Sequence, residues 1–328
     1  MATIKIGIMS FAHLHASSYA SCLKQLEHAE FVTIWDDDPE RGAKAAQEFG
    51  VSFVRNRDAF LESDIEGVII TSENVKHREM VEAAAAAGKW ILCEKPIAPA
   101  VEDAKAMVAA CKRSNVGLGT AFPCRYAPTL VAAHDRISSG SLGNILAAAC
   151  TNNGQFPGGW FADDALAGGG ATMDHTVHVV DLLRWMTGKE FVKVYCENGC
   201  LLHDDIATDD LGSLHLEMQD GIMVSHIASW SRPKSFPTWG DVTLQIIGEK
   251  GVLEVDAFGQ NVVHYNDETM RVGWLNWGGN SDLGLIADFV DAVAKRREPT
   301  ITGVDGLRAT QVTVAAYKSA ATGEPVSI

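Results

Sequence analysis

Lys95 is the residue whose type and setting best suit chemistry on a hydroxyl group. It lies within Glu94-Lys95-Pro96, directly after the apolar run Trp90–Cys93. That run predicts a buried parallel strand, and open α/β sheets bind ligands just beyond the carboxyl ends of such strands. Pro96 restricts the backbone, and Glu94 is placed to hold the ammonium group. A partly desolvated lysine has a lowered pKa and can exchange a proton with a substrate hydroxyl. The alternative interpretation is a surface lysine on a strand-to-helix loop.

A second group of polar residues opens a predicted helix after three glycines at 168–170. Asp174 and His178 are four residues apart and share one helical face, and Asp181 follows three residues later. The glycines permit a close backbone approach and leave N–H groups free at the helix start. The alternatives are a first-turn aspartate that serves the helix dipole and a His178 packed in a core. His175 and His178 also have a spacing that permits a metal pair.

Composition excludes several classes of protein. With 47% hydrophobic and 21% charged residues, the chain is globular rather than disordered. A net charge of −15 argues against nucleic acid or an anionic membrane as a partner, because phosphate groups need a basic patch. No run approaches the ~18 apolar residues of a bilayer span, and the N-terminus lacks a signal-peptide pattern. The seven scattered cysteines favour a reduced, cytoplasmic setting.

The first third of the chain alternates short β-rich runs with helical runs, which predicts βαβ units and a doubly wound parallel sheet. The predicted strands are Thr3–Met9, Phe31–Trp35, Ser52–Val54, Gly67–Thr71, Trp90–Cys93 and Gly117–Ala121. Between them lie a helix that ends near Leu26 and the helices Arg41–Phe49, Asp58–Leu61, Met80–Ala87 and Val101–Arg113. We therefore predict a Rossmann domain over residues 1–122.

The pattern changes after that point. Alternating runs separated by turns predict a second α/β domain, residues 123–328, with a large, open, mostly antiparallel sheet. Its predicted strands are Ile145–Thr151, Val192–Asn198, Asp210–Met218, Ile222–Ser229, Val242–Ile247, Gly251–Val255 and Asn261–Tyr265. Its predicted helices are Thr129–Ser138, Ala171–Met186, Asp282–Lys295 and Gly306–Thr322. The fold class is α/β throughout.

Three motifs together resemble the glucose–fructose oxidoreductase, inositol dehydrogenase and rhizopine-catabolism (Gfo/Idh/MocA) family of nicotinamide-dependent sugar dehydrogenases. They are Trp90-Ile-Leu-Cys-Glu-Lys-Pro-Ile97, the stretch from Gly168 to Asp181, and an ending that runs from Gly306-Leu-Arg-Ala through Ala315-Ala-Tyr-Lys-Ser-Ala to Gly323-Glu-Pro-Val. The resemblance extends over nearly the whole chain. It implies an oxidoreductase that moves a hydride between NAD and a CH–OH group of a sugar, an inositol-like polyol or a related hydroxy compound.

The same resemblance implies roles for the singled-out residues. It places Glu94 and Lys95 beside the cofactor, with Lys95 as the proton-transfer group. It makes His178 the acid/base partner or hydroxyl-binding group and Asp174 a substrate-positioning carboxylate, and it implies no metal ion. It also implies that the exposed face of the second sheet pairs subunits, as a homodimer or homotetramer, since large exposed apolar patches attract partners.

The loop after the first strand departs from the family's glycine pattern, G-x-G-x-x-G. Ser10, Ala12 and His15 stand where the glycines are expected. Ser10 and Ala12 are small enough for a close pyrophosphate approach, and His13 and His15 are placed to hydrogen-bond phosphate at the helix start. We predict that Ser10, Phe11, Ala12 and His13 contact the cofactor.

Asp36 ends the second predicted strand, where an acidic residue binds the adenosine ribose hydroxyls. A 2′-phosphate would meet that carboxylate and find no arginine immediately beside it, so we expect NAD rather than NADP. The resemblance adds Thr71, Asn74 and His77, which match the family's segment beside the nicotinamide ribose.

The residues expected to line a substrate cleft combine aromatic and polar side chains. They are Arg125 and Tyr126, just past the last Rossmann strand, together with Trp160 and His178. Aromatic faces suit sugar rings and polar edges suit hydroxyl groups. For the neighbouring Phe161, a place in the cleft and packing in the core are equally open interpretations.

Three other functions are open at this point. The same hydride step, made transiently, would drive elimination or hydrolysis of a glycoside with bound NAD. The altered glycine loop is compatible with a non-catalytic sensor that binds dinucleotide and a partner protein. His13-Leu-His15 is loosely similar to the metal-binding histidines of amidohydrolase barrels, but a barrel needs eight βα units and the antiparallel second half contradicts it.

Overall fold

The computed structural model describes residues 3–259, 261–267, 270–276 and 279–328. The chain folds into two compact units, neither of which is one continuous stretch. The first comprises Met1–Pro123, Ala165–Gly168 and Asp282–Thr310, and the second comprises Cys124–Asp164, Gly169–Ser281 and Gln311–Ile328. The chain thus returns to the first unit twice, at Ala165–Gly168 and at Asp282–Thr310, and only the folded chain shows this.

The first unit contains one parallel sheet. Its strands are β1 Ile4–Met9, β2 Ala29–Trp35, β3 Ser52–Phe53, β4 Gly67–Ile70, β5 Trp90–Cys93 and β6 Leu118–Thr120. Their order is β3-β2-β1-β4-β5-β6 and every pair is parallel, which confirms the predicted Rossmann sheet. The strand order reverses between β1 and β4, the switch point at which doubly wound sheets bind ligands.

The helices begin and end at local signals. They are α1 His15–Leu23, α2 Pro39–Phe49, α3 Arg57–Glu62, α4 His77–Ala86, α5 Val101–Ser114, α6 Pro128–Ser138, α7 Asp164–Ala167, α8 Ala171–Thr187, α9 Ser281–Lys295 and α10 Gly303–Thr322. Short 3-10 helices cover Asn74–Lys76, Pro123–Tyr126, Gly159–Ala162 and Gln219–Gly221. In α2, the Asp38 side chain caps the first turn, Pro39 is the first residue, and Gly50 ends the helix with a φ of 64°. None of the described helices is long and apolar enough to cross a membrane.

The second unit contains a mixed, mostly antiparallel sheet, as predicted. Its strands are β7 Ile145–Asn153, β8 Phe191–Gly199, β9 Leu211–Met218, β10 Met223–Ser229, β11 Thr243–Gly248, β12 Gly251–Asp256 and β15 Val326–Ser327. They follow the order β12-β11-β7-β10-β9-β8-β15, and only β7 and β10 run parallel. A separate hairpin pairs β13 Asn261–Asn266 with β14 Arg271–Asn276.

Helix α8 packs against β7, β9 and β10 of this sheet. It is apolar or buried on nearly every side, so its polar side chains are held within the unit rather than in solvent. In β10, Val224, His226 and Ala228 are buried, whereas Met223, Ser225 and Ile227 are exposed. This alternation gives the sheet one covered face and one open face.

Candidate functional site

The turn after β1 keeps the backbone shape of a glycine turn although its first residue is Ser10. Ser10 has a φ of 72°, a left-handed conformation that costs a non-glycine residue roughly 1 kcal/mol. Ser10 N donates to Trp35 O at 2.7 Å, and Thr71 Oγ1 donates to Ser10 O at 2.6 Å. His13 N donates to Thr71 O at 2.9 Å. Thr71 is fully buried, and its hydroxyl and carbonyl oxygen both hold the turn in place.

The backbone N–H groups of this turn donate to the protein itself. Phe11 N donates to Asp36 Oδ2 at 2.7 Å, and Ala12 N donates to Ser10 Oγ at 3.2 Å. Phosphate oxygens bound here would take over these donors, and the longer Ala12 bond is the easier one to exchange.

Asp36 directly follows β2, at the predicted place, but its carboxylate is buried and already hydrogen-bonded. Its oxygens accept from Phe11 N, from Asp38 N and from the guanidinium of Arg41, whose Nη2 is 2.6 Å from Oδ1. Burial raises the pKa of Asp36, and the Arg41 and backbone donors only partly oppose that rise. The expectation that no arginine lies beside Asp36 is wrong, because Arg41 on the first turn of α2 points back to it.

The charges around Arg41 form a small network. Asp37 accepts from Arg41 Nη2 at 2.8 Å and pairs with Lys76. Glu73 Oε2 is 2.9 Å from Lys76 Nζ, and Glu73 Oε1 is 4.0 Å from Arg41 Nη1. Three carboxylates, including that of Asp36, therefore share two cations, and the network carries net negative charge.

Asn74 and His77 differ in what they offer a ligand. Asn74 Nδ2 donates to Ala167 O at 2.9 Å, while its buried Oδ1 has no hydrogen-bond partner among the described residues. His77 Nδ1 lies 3.0 Å from Pro96 O and His77 Nε2 lies 3.2 Å from Ser72 O. Burial lowers the pKa of His77, so the ring is neutral. His77 joins the segments after β4 and β5, whereas Asn74 presents an acceptor.

Glu94, the first residue after β5, is completely buried among histidines. His15 Nδ1 lies 3.0 Å from Glu94 Oε1, and Lys95 N donates to Glu94 Oε2 at 2.9 Å. Burial alone would raise the pKa of Glu94, but the nearby charges of His13, His15 and Lys95 hold that pKa well below its ordinary value. Glu94 is therefore an anion at neutral pH.

Lys95 is itself buried, with 5% of its surface exposed. The alternative of a solvated surface lysine is therefore excluded. A lysine is rarely held at this depth, and Lys95 lies at the carboxyl edge of a parallel sheet, where such sheets bind ligands.

In the second unit, the start of α8 is closed rather than open. Gly170 N and Thr172 N donate to the carboxylate of Asp209 at 3.1 and 2.8 Å, and Ala171 N donates to Asp209 O at 2.8 Å. Tyr317 Oη donates to Asp209 Oδ1 at 2.5 Å. The expectation of free N–H groups after the glycines is wrong, because an aspartate from another segment caps the helix.

Asp174 and His178 are both 9% exposed on α8. Asp174 Oδ2 lies 3.2 Å from His175 Nε2 and accepts from Trp230 Nε1 at 3.3 Å. His175 Nδ1 in turn faces Asn152 O at 2.8 Å, which commits this ring to the protein rather than to a metal pair with His178. The Asp174 carboxylate is thus held in one orientation.

Arg125 lies on the short helix after the last Rossmann strand and is locked by an ion pair. Its Nε donates to Asp181 Oδ2 at 2.8 Å and its Nη2 donates to Asp181 Oδ1. The guanidinium also lies 5.8 Å from the ring centre of Trp185. This buried bidentate pair anchors Arg125, while the neighbouring Tyr126 is half-buried.

Trp160 belongs to an aromatic cluster. Its ring stacks on Phe161 with centroids 3.9 Å apart, and both pack with Trp230 and Phe156. Phe161 is buried and Trp160 is half-buried, so Trp160 is the more accessible of the two.

Sequence reasoning missed Arg41, Asp209 and Trp230, and it considered His175 only as one of a possible metal pair. Arg41 carried a usable signal, because a residue on the first turn of a helix can fold back on the preceding strand end. Asp209 and Trp230 reach α8 from segments distant in sequence, and no local pattern indicates such contacts.

Comparison with known proteins identifies the family. Residues 4–122 match the model of an oxidoreductase family with an NAD-binding Rossmann fold, and residues 130–254 match the model of the GFO/IDH/MocA C-terminal domain. The chain belongs to the Gfo/Idh/MocA family. It is thus an oxidoreductase with an NAD-binding Rossmann domain, which confirms the resemblance seen in the motifs.

Several relatives of this Gfo/Idh/MocA chain align over most of its length. It is 29% identical to the 1,5-anhydro-D-fructose reductase of Ensifer adhaerens over 313 residues, which cover 91% of each chain. It is 26% identical to the inositol 2-dehydrogenase of Rhizobium meliloti over 99% of each chain. The crystal structure of GenD2 from gentamicin A biosynthesis, in complex with NAD, superimposes with a TM-score of 0.91 at 26% identity, covering 100% of this chain and 97% of that one.

Proposed function

We propose that this protein is an NAD-dependent dehydrogenase that moves a hydride between the nicotinamide and a hydroxyl-bearing carbon of a sugar or polyol. NAD, when bound, supplies the hydride acceptor or donor. The observation that carries the proposal is the buried Lys95 directly beyond β5 of the NAD-binding unit. The names of the two relatives above, which are a reductase of an anhydro-sugar and an inositol dehydrogenase, support a polyhydroxy substrate.

Features of the first unit fit the dinucleotide. Ser10 retains the left-handed turn that the first fingerprint glycine normally provides, and Asn74 Oδ1 is a buried acceptor suited to a ribose hydroxyl. A cavity at the same sheet edge suits adenine and its ribose. It is lined by Trp35, Asp37, Arg55, Asn56, Arg57, Asp58, Lys76, Glu79 and Met80. These features support the turn Ser10–His13 and Asn74 as cofactor contacts, with Thr71 and His77 in positioning roles.

The charge network supports NAD over NADP. Arg41 is neutralised by Asp36 and Asp37, and Glu73 adds a third carboxylate against Lys76. A 2′-phosphate would add further negative charge to a network that is already net negative. We propose that Asp37, which is more exposed than Asp36, makes the ribose contact that was predicted for Asp36.

Proton handling falls to Lys95 in the first unit. We propose that Lys95 Nζ accepts the hydroxyl proton during oxidation and returns it during reduction. In the second unit we propose His178 as a second hydroxyl-binding or acid/base group and Asp174 as an acceptor for a substrate hydroxyl. The fixed orientation of Asp174 supports that role, because a preorganised acceptor loses little freedom on binding. Trp160 offers an aromatic face for the ring, and the anchored Arg125 supports the residues around it.

Lys95→Ala tests this assignment. We expect kcat/KM to fall by about 10³-fold, because general acid–base groups contribute on that scale, while NAD binding stays largely intact. Turnover is followed by nicotinamide absorbance against a panel of sugars and inositols, and NAD binding by thermal shift. Lys105→Ala, an exposed lysine on α5, is the matched control.

Two results would remove the proposal. One is a Lys95→Ala enzyme with wild-type turnover, which would move the chemistry elsewhere. The other is a wild-type protein with no turnover on the panel and no thermal shift with NAD.

We further propose that the open face of the second sheet pairs subunits. Met223, Ala147, Ile247 and Val252 are neighbours across four strands, and all but the half-buried Ala147 are exposed. Met223→Lys would place a charge in this row and is expected to shift a dimer or tetramer toward monomer in light scattering. An unchanged mass for this variant, with the wild type oligomeric, would place the interface elsewhere.

A further inference from the structure

Two histidines and a glutamate converge at the altered turn after β1. One ring nitrogen of His13, one of His15 and one carboxylate oxygen of Glu94 all lie within 4.8 Å of one another. The two imidazole rings meet edge to face with centroids 4.5 Å apart. These residues come from two separate segments, the β1–α1 turn and the end of β5, so the fold and not local sequence assembles them.

The surroundings hold these groups in place. His15 N donates to His13 Nδ1 at 3.1 Å, which orients the His13 ring. Lys95 N donates to Glu94 Oε2 at 2.9 Å, which leaves Oε1 facing His15. A donor such as Lys95 N on a ligand carboxylate helps to orient that ligand in known metal sites. His13 gives up the bond from His15 N when it binds an ion, because a ligating imidazole uses one ring nitrogen for the metal and carries a proton on the other.

The donor set indicates a particular class of ion. Two imidazoles and one carboxylate are the ligands of catalytic zinc sites and of non-haem iron sites, whereas magnesium and calcium prefer oxygen. Three protein ligands leave coordination positions open for water or a ligand oxygen. A divalent ion would add to the positive charge that Lys95 already places beside this fully buried carboxylate.

We propose that His13, His15 and Glu94 bind a single divalent first-row transition-metal ion. The site lies at the turn where the family's phosphate-binding glycines are missing, and the ion supplies positive charge there. The expectation of no metal came from the family's pattern, which does not include this histidine pair. The proposal does not depend on hydride transfer, and a measurement of metal binding is sufficient to test it.

Co²⁺ is the probe, because its visible absorption reports coordination directly. The full-length chain is treated with chelator, returned to metal-free buffer at pH 7.5 and titrated with Co²⁺. A Cys200→Ser background removes the exposed thiol, so that a thiolate at that position does not contribute to the absorption. We expect saturable binding of a single ion per chain and its displacement by Zn²⁺.

Variants assign the ligands. His15→Gln is expected to raise the Kd for Co²⁺ by at least about 100-fold, and Glu94→Gln by a similar factor. The His15 side chain is 27% exposed, so this variant keeps the assay interpretable if the change at buried Glu94 impairs folding. His28→Gln, an exposed histidine elsewhere in the first unit, is the matched control and is expected to bind as the wild type does.

Two outcomes overturn the proposal. In one, the wild-type chain takes up no Co²⁺ or Zn²⁺, and the three residues form an ion network of the protein alone. In the other, Co²⁺ binds but His15→Gln binds it equally well, so the ion lies elsewhere.

Discussion

The turn after β1 and the start of α8 use small residues in opposite ways. At the turn, Ser10 stands in place of a glycine and still adopts a φ of 72°, because hydrogen bonds on both sides hold it there. At α8 the glycine is kept, and a Cβ on Gly170 would lie 1.9 Å from the carbonyl oxygen of Asp209. A glycine needed only for its φ can be replaced at a cost of roughly 1 kcal/mol, whereas one needed for close contact cannot.

Gly170→Ala tests whether the close contact at the start of α8 requires a glycine. It has the largest expected effect on stability. Since the new methyl group would overlap the Asp209 backbone, the helix start and its cap must separate. We expect a loss of about 3 kcal/mol in the free energy of unfolding, measured by urea denaturation.

Gly188→Ala is the matched control, because Gly188 ends the same helix with a φ of 67° and has nothing within 4 Å of its Cβ position. It is expected to cost about 1 kcal/mol through backbone strain alone. Equal losses in the two variants would mean that the contact with Asp209 is not decisive.

The second unit also holds a buried polar residue whose protonation affects stability. This residue is His226 on β10, a strand that packs against α8. His226 Nε2 is buried without a hydrogen-bond partner among the described residues, and burial lowers the pKa of His226 from 6.5 to about 4. His175 lowers this pKa further, while the bond to Cys150 O and the charge of Asp241 oppose the shift. The unfolded chain therefore binds the proton first, and stability is lost as the pH falls from 6.5 toward 4.

From these pKa values, His226 removes about 2 kcal/mol of stability between pH 7.5 and pH 5. His226→Leu is expected to abolish that share of the pH dependence, measured by urea denaturation at both pH values. His215→Leu, an exposed histidine on the neighbouring strand β9, should leave the pH dependence as in the wild type. The same pH slope in wild type and His226→Leu would show that this ring is not held neutral.

Ser10→Gly has the smallest expected effect on stability. It relieves the left-handed strain but removes the hydroxyl that accepts from Ala12 N and from Arg41, so the net change stays within about 1 kcal/mol. It also frees Ala12 N for a phosphate oxygen, so we expect tighter NAD binding by isothermal titration calorimetry. Ser10→Ala separates the two effects, because it frees the N–H and keeps the strain. Weaker NAD binding in both variants would show that the serine hydroxyl itself contacts the cofactor.

Much of the fold was predictable because its signals are local. Strand β5 matches its predicted bounds, since an apolar run closed by Glu-Lys-Pro admits few alternatives. Helix ends were less accurate. α1 was predicted to continue to Leu26 but ends at Leu23, and α4 begins at His77 rather than Met80. Polar residues near a helix end satisfy the helical pattern equally well inside or outside the helix, and tertiary hydrogen bonds decide between them.

The candidate site was predictable only in part. Lys95 and Asp174 are buried where the motifs placed them, but their partners come from distant segments. The pairing of Arg41 with Asp36, the cap that Asp209 places on α8 and the Trp230 bond to Asp174 all depend on which segments the fold brings together.

The sequence by itself determined the alternation of strands and helices, the family, and the oxidoreductase class, because these follow from hydrophobic periodicity and from contiguous motifs. It also showed that the turn after β1 lacks the fingerprint glycines. Only the tertiary structure decided what that loss means. It shows that Ser10 keeps the glycine-like turn and that His13 and His15 meet Glu94 from the end of β5. The reason is physical: a backbone conformation and a cluster of charges depend on contacts between segments, which sequence spacing alone does not specify.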